Sequence, residues 1–197
     1  MESMQDQLAA TADLRVRSLK VAQLIRAATL FALGVFVAFT ATSHEELEFD
    51  VTTMMFAFAL IALVTFIEYW VLRNTAESWW IAARAVIAVA AAGSLFAVTD
   101  SASFALVIAL WALITAIITA MRLARKVQPA GVAIPSLSLS LLLAASVLVV
   151  REDPVAIIGL FGAYALLRGV FLGIAAFDAR HPQDAETPSI PDQHLNK

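Results

Sequence analysis

The sequence has no cysteine and few charged residues. The lack of cysteine among 197 residues excludes disulfides, thiolate metal sites and cysteine nucleophiles. Charged residues make up only 15% of the chain, whereas a soluble domain has about 25%. The net charge of −3 comes with no block of basic residues, so nucleic acid is not an expected partner.

Hydrophobic residues, by contrast, are in large excess. They make up 61% of the chain, and the mean hydropathy is +0.83. A soluble domain is roughly 45–50% apolar. A chain of this size cannot bury such an excess in a core, so much of its apolar surface is expected to face lipid. The expected partner is therefore the lipid bilayer.

Six segments are long and apolar enough to cross that bilayer, since a spanning helix needs about 20 mostly apolar residues. They are Leu19–Phe39, Val51–Leu72, Ser78–Val98, Ala102–Met121, Val132–Val150 and Pro154–Phe177. The short polar linkers between them force neighbouring helices to run antiparallel. The sequence thus predicts an all-α, polytopic integral membrane protein with six transmembrane helices. In residues 136–141 serine and leucine alternate, which is typical of a strand. A lone strand cannot satisfy its backbone hydrogen bonds in lipid, so we expect a helix here as well.

The distribution of lysine and arginine predicts the direction of the spans. Nine of these residues fall in one set of loops and terminal segments, and only Arg151 falls in the opposite set. By the positive-inside rule the first set is cytoplasmic. We therefore expect a multi-pass protein of the cell (plasma) membrane with a cytoplasmic N-terminal segment, 1–18, a transmembrane domain, 19–177, and a cytoplasmic tail, 178–197. The tail is expected to be disordered because it is polar and contains three prolines.

The opposite, outer loops are acidic. The loop after the first span contains His44, Glu45, Glu46 and Glu48. Acidification would neutralise the carboxylates and charge the histidine, which makes this loop a candidate pH-responsive element. The alternative is an ordinary solvated acidic loop.

The six spans group into three helical hairpins, at about 19–72, 78–121 and 132–177. The second and third align without gaps, so that Asp100 matches Asp153 and Trp111 matches Tyr164. The first hairpin fits this pattern only loosely. Each hairpin begins and ends on the same side, so the repeats are parallel; the inverted repeats of many alternating-access transporters differ in this respect.

The repeated hairpin carries a family resemblance. The stretch 78–88, with Trp79, Trp80 and Arg84, resembles the opening of the HdeD-like acid-resistance membrane proteins, and 110–116 and 162–170 resemble the second helix of their repeat. Ala85 and Ala116 stand where that family often has glycine. The resemblance implies a hairpin-repeat fold and an association with stress, and it implies no active site.

Four charged residues lie within predicted spans: Arg26, Glu68, Arg84 and Arg168. All four fall in the inner half of the membrane. Charge is costly there, since the free energy of inserting an arginine at the bilayer centre is about 2.5–3.5 kcal/mol. One interpretation is a shared cluster, in which Glu68 partners one of the arginines around an anion or lipid-headgroup pocket or a proton-linked switch. The other is snorkelling to the inner interface plus one structural salt bridge.

Two glycines in the last span, Gly169 and Gly173, form a GxxxG pattern. Such a pattern allows close helix contact, either within the chain or in a homo-oligomer. The sequence contains no catalytic, cofactor or metal motif. The leading interpretation is therefore a non-enzymatic protein of the HdeD-like type that supports envelope or acid-stress tolerance. The alternative is a small transporter or channel for an anionic or small solute, which a water-accessible cavity at the buried charges would favour.

Overall fold

The computed structural model describes residues 2–40, 47–75 and 78–178, and every secondary-structure element within them is a helix. The helices are α1 (Glu2–Phe39), α2 (Leu47–Leu72), α3 (Ser78–Ser94), α4 (Ser101–Ala124), α5 (Ala130–Val149) and α6 (Pro154–Asp178). A 3₁₀ turn, Leu95–Ala97, continues α3. Each of the six is long and apolar enough to span a membrane. The predicted six-helix membrane fold is therefore confirmed, and the alternating segment 136–141 lies inside α5.

Helix α1 begins well before the first predicted span. The polar segment 2–18 is the start of a 38-residue helix, because it contains neither glycine nor proline and is rich in alanine, leucine and other good helix formers. The C-terminal tail from residue 179 lies outside the described residues, as do His44, Glu45 and Glu46.

The two ends of the bundle differ in charge. One end, here called the basic end, carries the α2–α3 and α4–α5 loops with Arg73, Arg122, Arg125 and Lys126. The other, here called the acidic end, carries Glu48, Asp50, Asp100, Glu152 and Asp153.

Two of these aspartates begin helices in the same way. The Asp100 carboxylate accepts a hydrogen bond from the backbone N–H of Ser103 at 2.7 Å, and the Ser103 hydroxyl lies 3.3 Å from the backbone N–H of Asp100. The Asp153 carboxylate accepts from the N–H of Ala156 at 3.0 Å. Both bonds satisfy amide groups that the first turn of a helix leaves unpaired. The aligned aspartates of the second and third hairpins thus have the same structural role.

The helices form a closed ring in chain order, in which α6 returns to pack against α1. The most extensive contacts are those of α1 with α6, α2 with α3, and α4 with α5. The two helices of each predicted hairpin pack less extensively than these pairs. The repeat unit of the sequence is therefore not the unit of closest packing, because each hairpin packs chiefly against its neighbours.

The α1–α6 contact depends on glycine. A Cβ added at Gly169 would lie 2.7 Å from the backbone nitrogen of Phe31 and 2.9 Å from the carbonyl oxygen of Ala27. Gly169 therefore packs within the chain, which is the first of the two uses expected for the GxxxG pattern. The homo-oligomer stays a prediction. Gly173, one turn further, has no neighbouring atom within 4 Å of such a Cβ.

The three even-numbered helices share one register. Counting from Asp50, Asp100 and Asp153, the residues four and eight positions on are all fully buried: Met54, Phe104, Ile157, Phe58, Ile108 and Phe161. The first hairpin, which matched the others only loosely in sequence, therefore follows the repeat in its second helix. These side chains meet in one core toward the acidic end.

Candidate functional site

An aromatic cluster closes the centre of the bundle. It consists of Phe58, Trp111, Phe161 and Tyr164, all buried. The ring centroids of Phe58 and Trp111 are 4.9 Å apart, and those of Trp111 and Tyr164 are 5.9 Å apart in an edge-on arrangement. An apolar core of buried side chains continues from this cluster toward the acidic end.

A small polar chamber lies on the basic side of the cluster. Its free volume is about 30 Å³, which is enough for a water molecule. The repeat register continues here, because the residues 11 and 15 positions after each aspartate all line the chamber: Ile61, Trp111, Tyr164, Thr65, Thr115 and Arg168. Equivalent positions in the three repeats therefore build one central site.

A wider cavity lies next to the chamber, toward the basic end. Its volume is about 270 Å³, and it reaches the α4–α5 loop at Gln128 and Pro129. The two cavities share Arg26, Arg84 and Arg168 in their walls. Glu68 lines the wider one, so the four charged residues singled out in the sequence all lie in the walls of these two neighbouring cavities.

Arg168 is the deepest of these charges, with 5% of its surface exposed. Its Nη1 donates to the hydroxyl of Ser140 at 3.3 Å, and its guanidinium lies over the ring of Tyr164. Its Nε has no hydrogen-bond partner. Within the described part of the chain, no carboxylate forms an ion pair with Arg168.

The other charges leave the cavity strongly positive. Arg26 and Glu68 form a salt bridge of 3.4 Å, and their side chains are 13% and 12% exposed. Arg84 is half-buried. Within residues 2–40, 47–75 and 78–178, no carboxylate forms an ion pair with it. With Arg122 at the basic end, four arginines and one glutamate line the space, which gives it a net charge of +3.

The remaining predicted site residues do not belong to this cavity. Glu48 is exposed in the first turn of α2, at the opposite end of the bundle. The other three residues of the candidate pH-responsive loop lie outside the described residues. No group of three histidine, cysteine or acidic side chains suited to a metal ion is found among the residues that the structure describes.

Several lining residues escaped the sequence analysis. Thr115 and Tyr164 fall in the repeated segments, but nothing in the sequence marked them as lining a cavity, and Thr65 belongs to no motif. Ser140 is one of four serines in α5, and the sequence gives no means of choosing among them. The repeat register of the second and third hairpins places Thr115 and Tyr164, which stand 15 and 11 residues after the aligned aspartates Asp100 and Asp153. Thr65 stands 15 residues after Asp50, which the sequence alone did not align with them. Ser140 lies on α5, to which this register does not apply, so its place beside Arg168 could not be predicted.

Comparison of the chain with protein families, with curated proteins and with solved structures found no match. The resemblance to HdeD-like proteins therefore stays a prediction.

Proposed function

We propose that this membrane protein is a transporter that binds a small anion in the arginine-lined cavity, entered from the basic end. The observation that carries the proposal is Arg168, a guanidinium that is 5% exposed and has no carboxylate partner in the described part of the chain. A buried charge without a partner is costly, and an anion in the arginine-lined cavity beside Arg168 would supply the missing partner.

The snorkelling interpretation does not account for Arg168. A snorkelling arginine extends its head to the membrane surface and into water. The head of Arg168 instead contacts Ser140 and Tyr164 inside the bundle. One structural salt bridge does exist, between Arg26 and Glu68, but it leaves Arg84 and Arg168 without a counter-charge.

The shape of the cavity favours a carrier over an open channel. The polar space ends at the aromatic cluster, and fully buried apolar side chains continue beyond it. Passage to the acidic end would require these side chains to move. The cavity therefore corresponds to one state of an alternating-access cycle, with the site open at the basic end.

The lysine and arginine distribution of the sequence also supports a proposal for the membrane and for the side of it that the cavity faces. We propose a plasma-membrane location with both termini and the basic end in the cytoplasm, on the basis of the lysine and arginine distribution. A non-enzymatic role in stress tolerance, as the HdeD-like resemblance implies, is compatible with an anion carrier. The cavity offers arginines and hydroxyl groups, which suit recognition of negative charge.

Calorimetric titration of the purified protein tests the proposal. The protein is held in an uncharged detergent and titrated separately with nitrate, sulfate and phosphate. We expect saturable binding of at least one of these anions. Arg168→Gln should weaken it at least about thirtyfold, or roughly 2 kcal/mol, the minimum usual when a buried charge pair loses one partner. Arg73→Gln is the matched control, because Arg73 is exposed at the same end outside the cavity.

A second arm separates a free anion from a lipid headgroup, since both present the same oxyanion chemistry. The same titration is made with a short-chain phosphatidylglycerol. Saturation by this lipid together with no response to any free anion would replace the carrier with a lipid-binding site. Equal loss of binding in Arg168→Gln and Arg73→Gln would also contradict the proposal, because it would indicate a general surface-charge effect.

A further inference from the structure

The arginines of the wider cavity lie at two depths. Arg84 and Arg168 line both the deep chamber and the wider cavity, whereas Arg122 lines the wider one from the last turn of α4. Arg122 stands seven residues after Thr115, which holds the position equivalent to Arg168 in the second repeat. At 1.5 Å per residue, the backbones of Arg122 and Arg168 are roughly 10 Å apart along the bundle. The positive charge of the wall is thus divided between a deep position and a position near the basic end.

We infer that the transported solute is a small organic anion of the dicarboxylate class, with one carboxylate beside Arg168 and Arg84 and the second beside Arg122. This inference rests on the anion site proposed above and names the kind of anion that it takes. The planar guanidinium presents a fork of N–H donors that matches the two oxygens of a carboxylate. Each of the two depths therefore suits one end of such a solute.

The wider cavity has room for a molecule of this kind. Its volume of about 270 Å³ is close to the lower end for sites that bind small organic ligands, which is roughly 300 Å³. An inorganic anion such as nitrate would fill only a small part of this space. Leu172 lies one turn after Arg168 on α6, between the two depths, and also lines the cavity. Its aliphatic side chain suits contact with the carbon chain that joins the two carboxylates.

A divalent solute also compensates the charge of the wall better than a monovalent one. The cavity has a net charge of +3, in which Arg26 and Glu68 cancel each other. One negative charge would lower it to +2, and two would lower it to +1. Like charges repel strongly in an interior of low dielectric, so the second negative charge adds stabilisation. It adds most near an arginine that the first carboxylate does not reach, and Arg122 is placed for this contact.

Glutarate and its monoamide, glutaramate, test the inference because the two molecules have nearly the same size and shape and differ by one negative charge. Each is titrated calorimetrically into the intact wild-type protein in an uncharged detergent at neutral pH. We expect glutarate to bind at least about tenfold more tightly than glutaramate, since a hydrogen-bonded contact between charged groups usually contributes this much or more. This comparison requires no variant, so a folding defect cannot obscure it.

Variants of the arginines locate the two carboxylates. Arg122→Gln should weaken glutarate binding about tenfold and should change glutaramate binding no more than a control variant does, because the single carboxylate of the monoamide occupies the deep position. Arg168→Gln should weaken the binding of both molecules. Arg125→Gln is the matched control, since Arg125 is exposed at the same end of α4 and lies outside the cavity. It should leave glutarate much tighter than glutaramate, as in the wild type.

Two results would overturn the inference. One is equal affinity of the wild type for glutarate and glutaramate, and the other is an equal loss of affinity for both in Arg122→Gln, which would indicate a general effect of charge. If nitrate, sulfate or phosphate binds in the Arg168-dependent way expected above and glutarate does not bind, the anion site stands and the dicarboxylate is wrong. If neither these anions nor glutarate bind, the proposed function itself is wrong.

Discussion

The guanidinium of Arg168 lies 5.4 Å from the centroid of the Tyr164 ring, and the two residues are one turn apart on α6. Residues four apart on a helix face the same way, so the helix itself points this cation and its aromatic partner into the bundle. The cation–π contact stabilises the guanidinium by about 0.5–2 kcal/mol. The contact brings no negative charge, and the proposed anion would supply that charge.

Replacing Arg168 by an apolar side chain of similar length separates its binding role from a structural one. In anion-free buffer, Arg168→Met should leave the thermal stability unchanged or raise it, by on the order of 1 kcal/mol, because apolar replacements of buried charges are often neutral or stabilising. The stabilisation that added nitrate or sulfate gives the wild type should disappear. Thermal unfolding in detergent with and without each anion measures both effects. A large loss of stability in the anion-free protein would indicate a structural role for Arg168.

The threonine equivalent to Arg168 in the second repeat, Thr115, should contribute to affinity without supporting the fold. Its side chain lines the chamber, and Thr115→Val removes the hydroxyl while keeping the shape. We expect anion binding to weaken about fivefold, as for the loss of a hydrogen bond of roughly 1 kcal/mol. Thr52→Val, at an exposed position on α2 outside the chamber, is the matched control. An unchanged affinity in Thr115→Val would place the anion away from the chamber.

The two glycines of α6 should respond in opposite directions to the same substitution. Gly169→Ala should destabilise the protein by about 1–3 kcal/mol, the usual cost of overpacking, because the new methyl group meets the backbone of α1. Gly173→Ala meets open space and should be neutral or stabilising by roughly 0.5–1 kcal/mol, since alanine favours helix. Thermal unfolding of the two variants makes the comparison. Equal stability would contradict the close α1–α6 contact.

The cap of α4 should make stability depend on pH at the acidic end. The backbone N–H and the hydroxyl of Ser103 lower the pKa of Asp100 below its ordinary value of 3.8. The contribution of the ionised cap is therefore fully present above about pH 3.8 and is lost as the pH falls through the lowered pKa of the folded state. Asp100→Asn keeps a capping oxygen but cannot titrate.

Thermal unfolding of the wild type and Asp100→Asn over a descending pH series measures this contribution. The difference in melting temperature between the two proteins should be constant above about pH 4 and should shift against the wild type below it. Asp100→Ala, which removes the cap, should melt below the wild type at neutral pH. If the difference in melting temperature between the wild type and Asp100→Asn stayed constant down to strongly acidic pH, Asp100 would contribute no pH dependence to the stability.

Hydropathy predicted the helices well because each span satisfies its own backbone and needs only length and apolar composition. The same property made the packing hard to foresee. Nearly every residue of a span is apolar, so the pattern does not mark which face meets another helix. The contact of α1 with α6 joins the two ends of the chain through Gly34 and Gly169, and no local signal connects those positions.

The candidate site was partly visible in the sequence. Arg26, Glu68, Arg84 and Arg168 were identifiable because charge is costly in a membrane. The pairing of Glu68 with Arg26, rather than with Arg84 or Arg168, depends on how the helices are rotated and could not be derived from spacing. The alignment of Asp50 with Asp100 and Asp153 would have placed Thr65, Thr115 and Arg168 at equivalent positions, but the first hairpin is too divergent elsewhere to show it.

An experimental structure of the protein with bromide tests most directly whether an anion occupies the space beside Arg168, because anomalous scattering locates the bound ion. We expect an anomalous peak inside the chamber, within contact distance of Arg168 and Arg84, that is lost in Arg168→Met. A chamber without a peak, with both guanidinium groups paired to carboxylates of the protein, would contradict the proposed anion site.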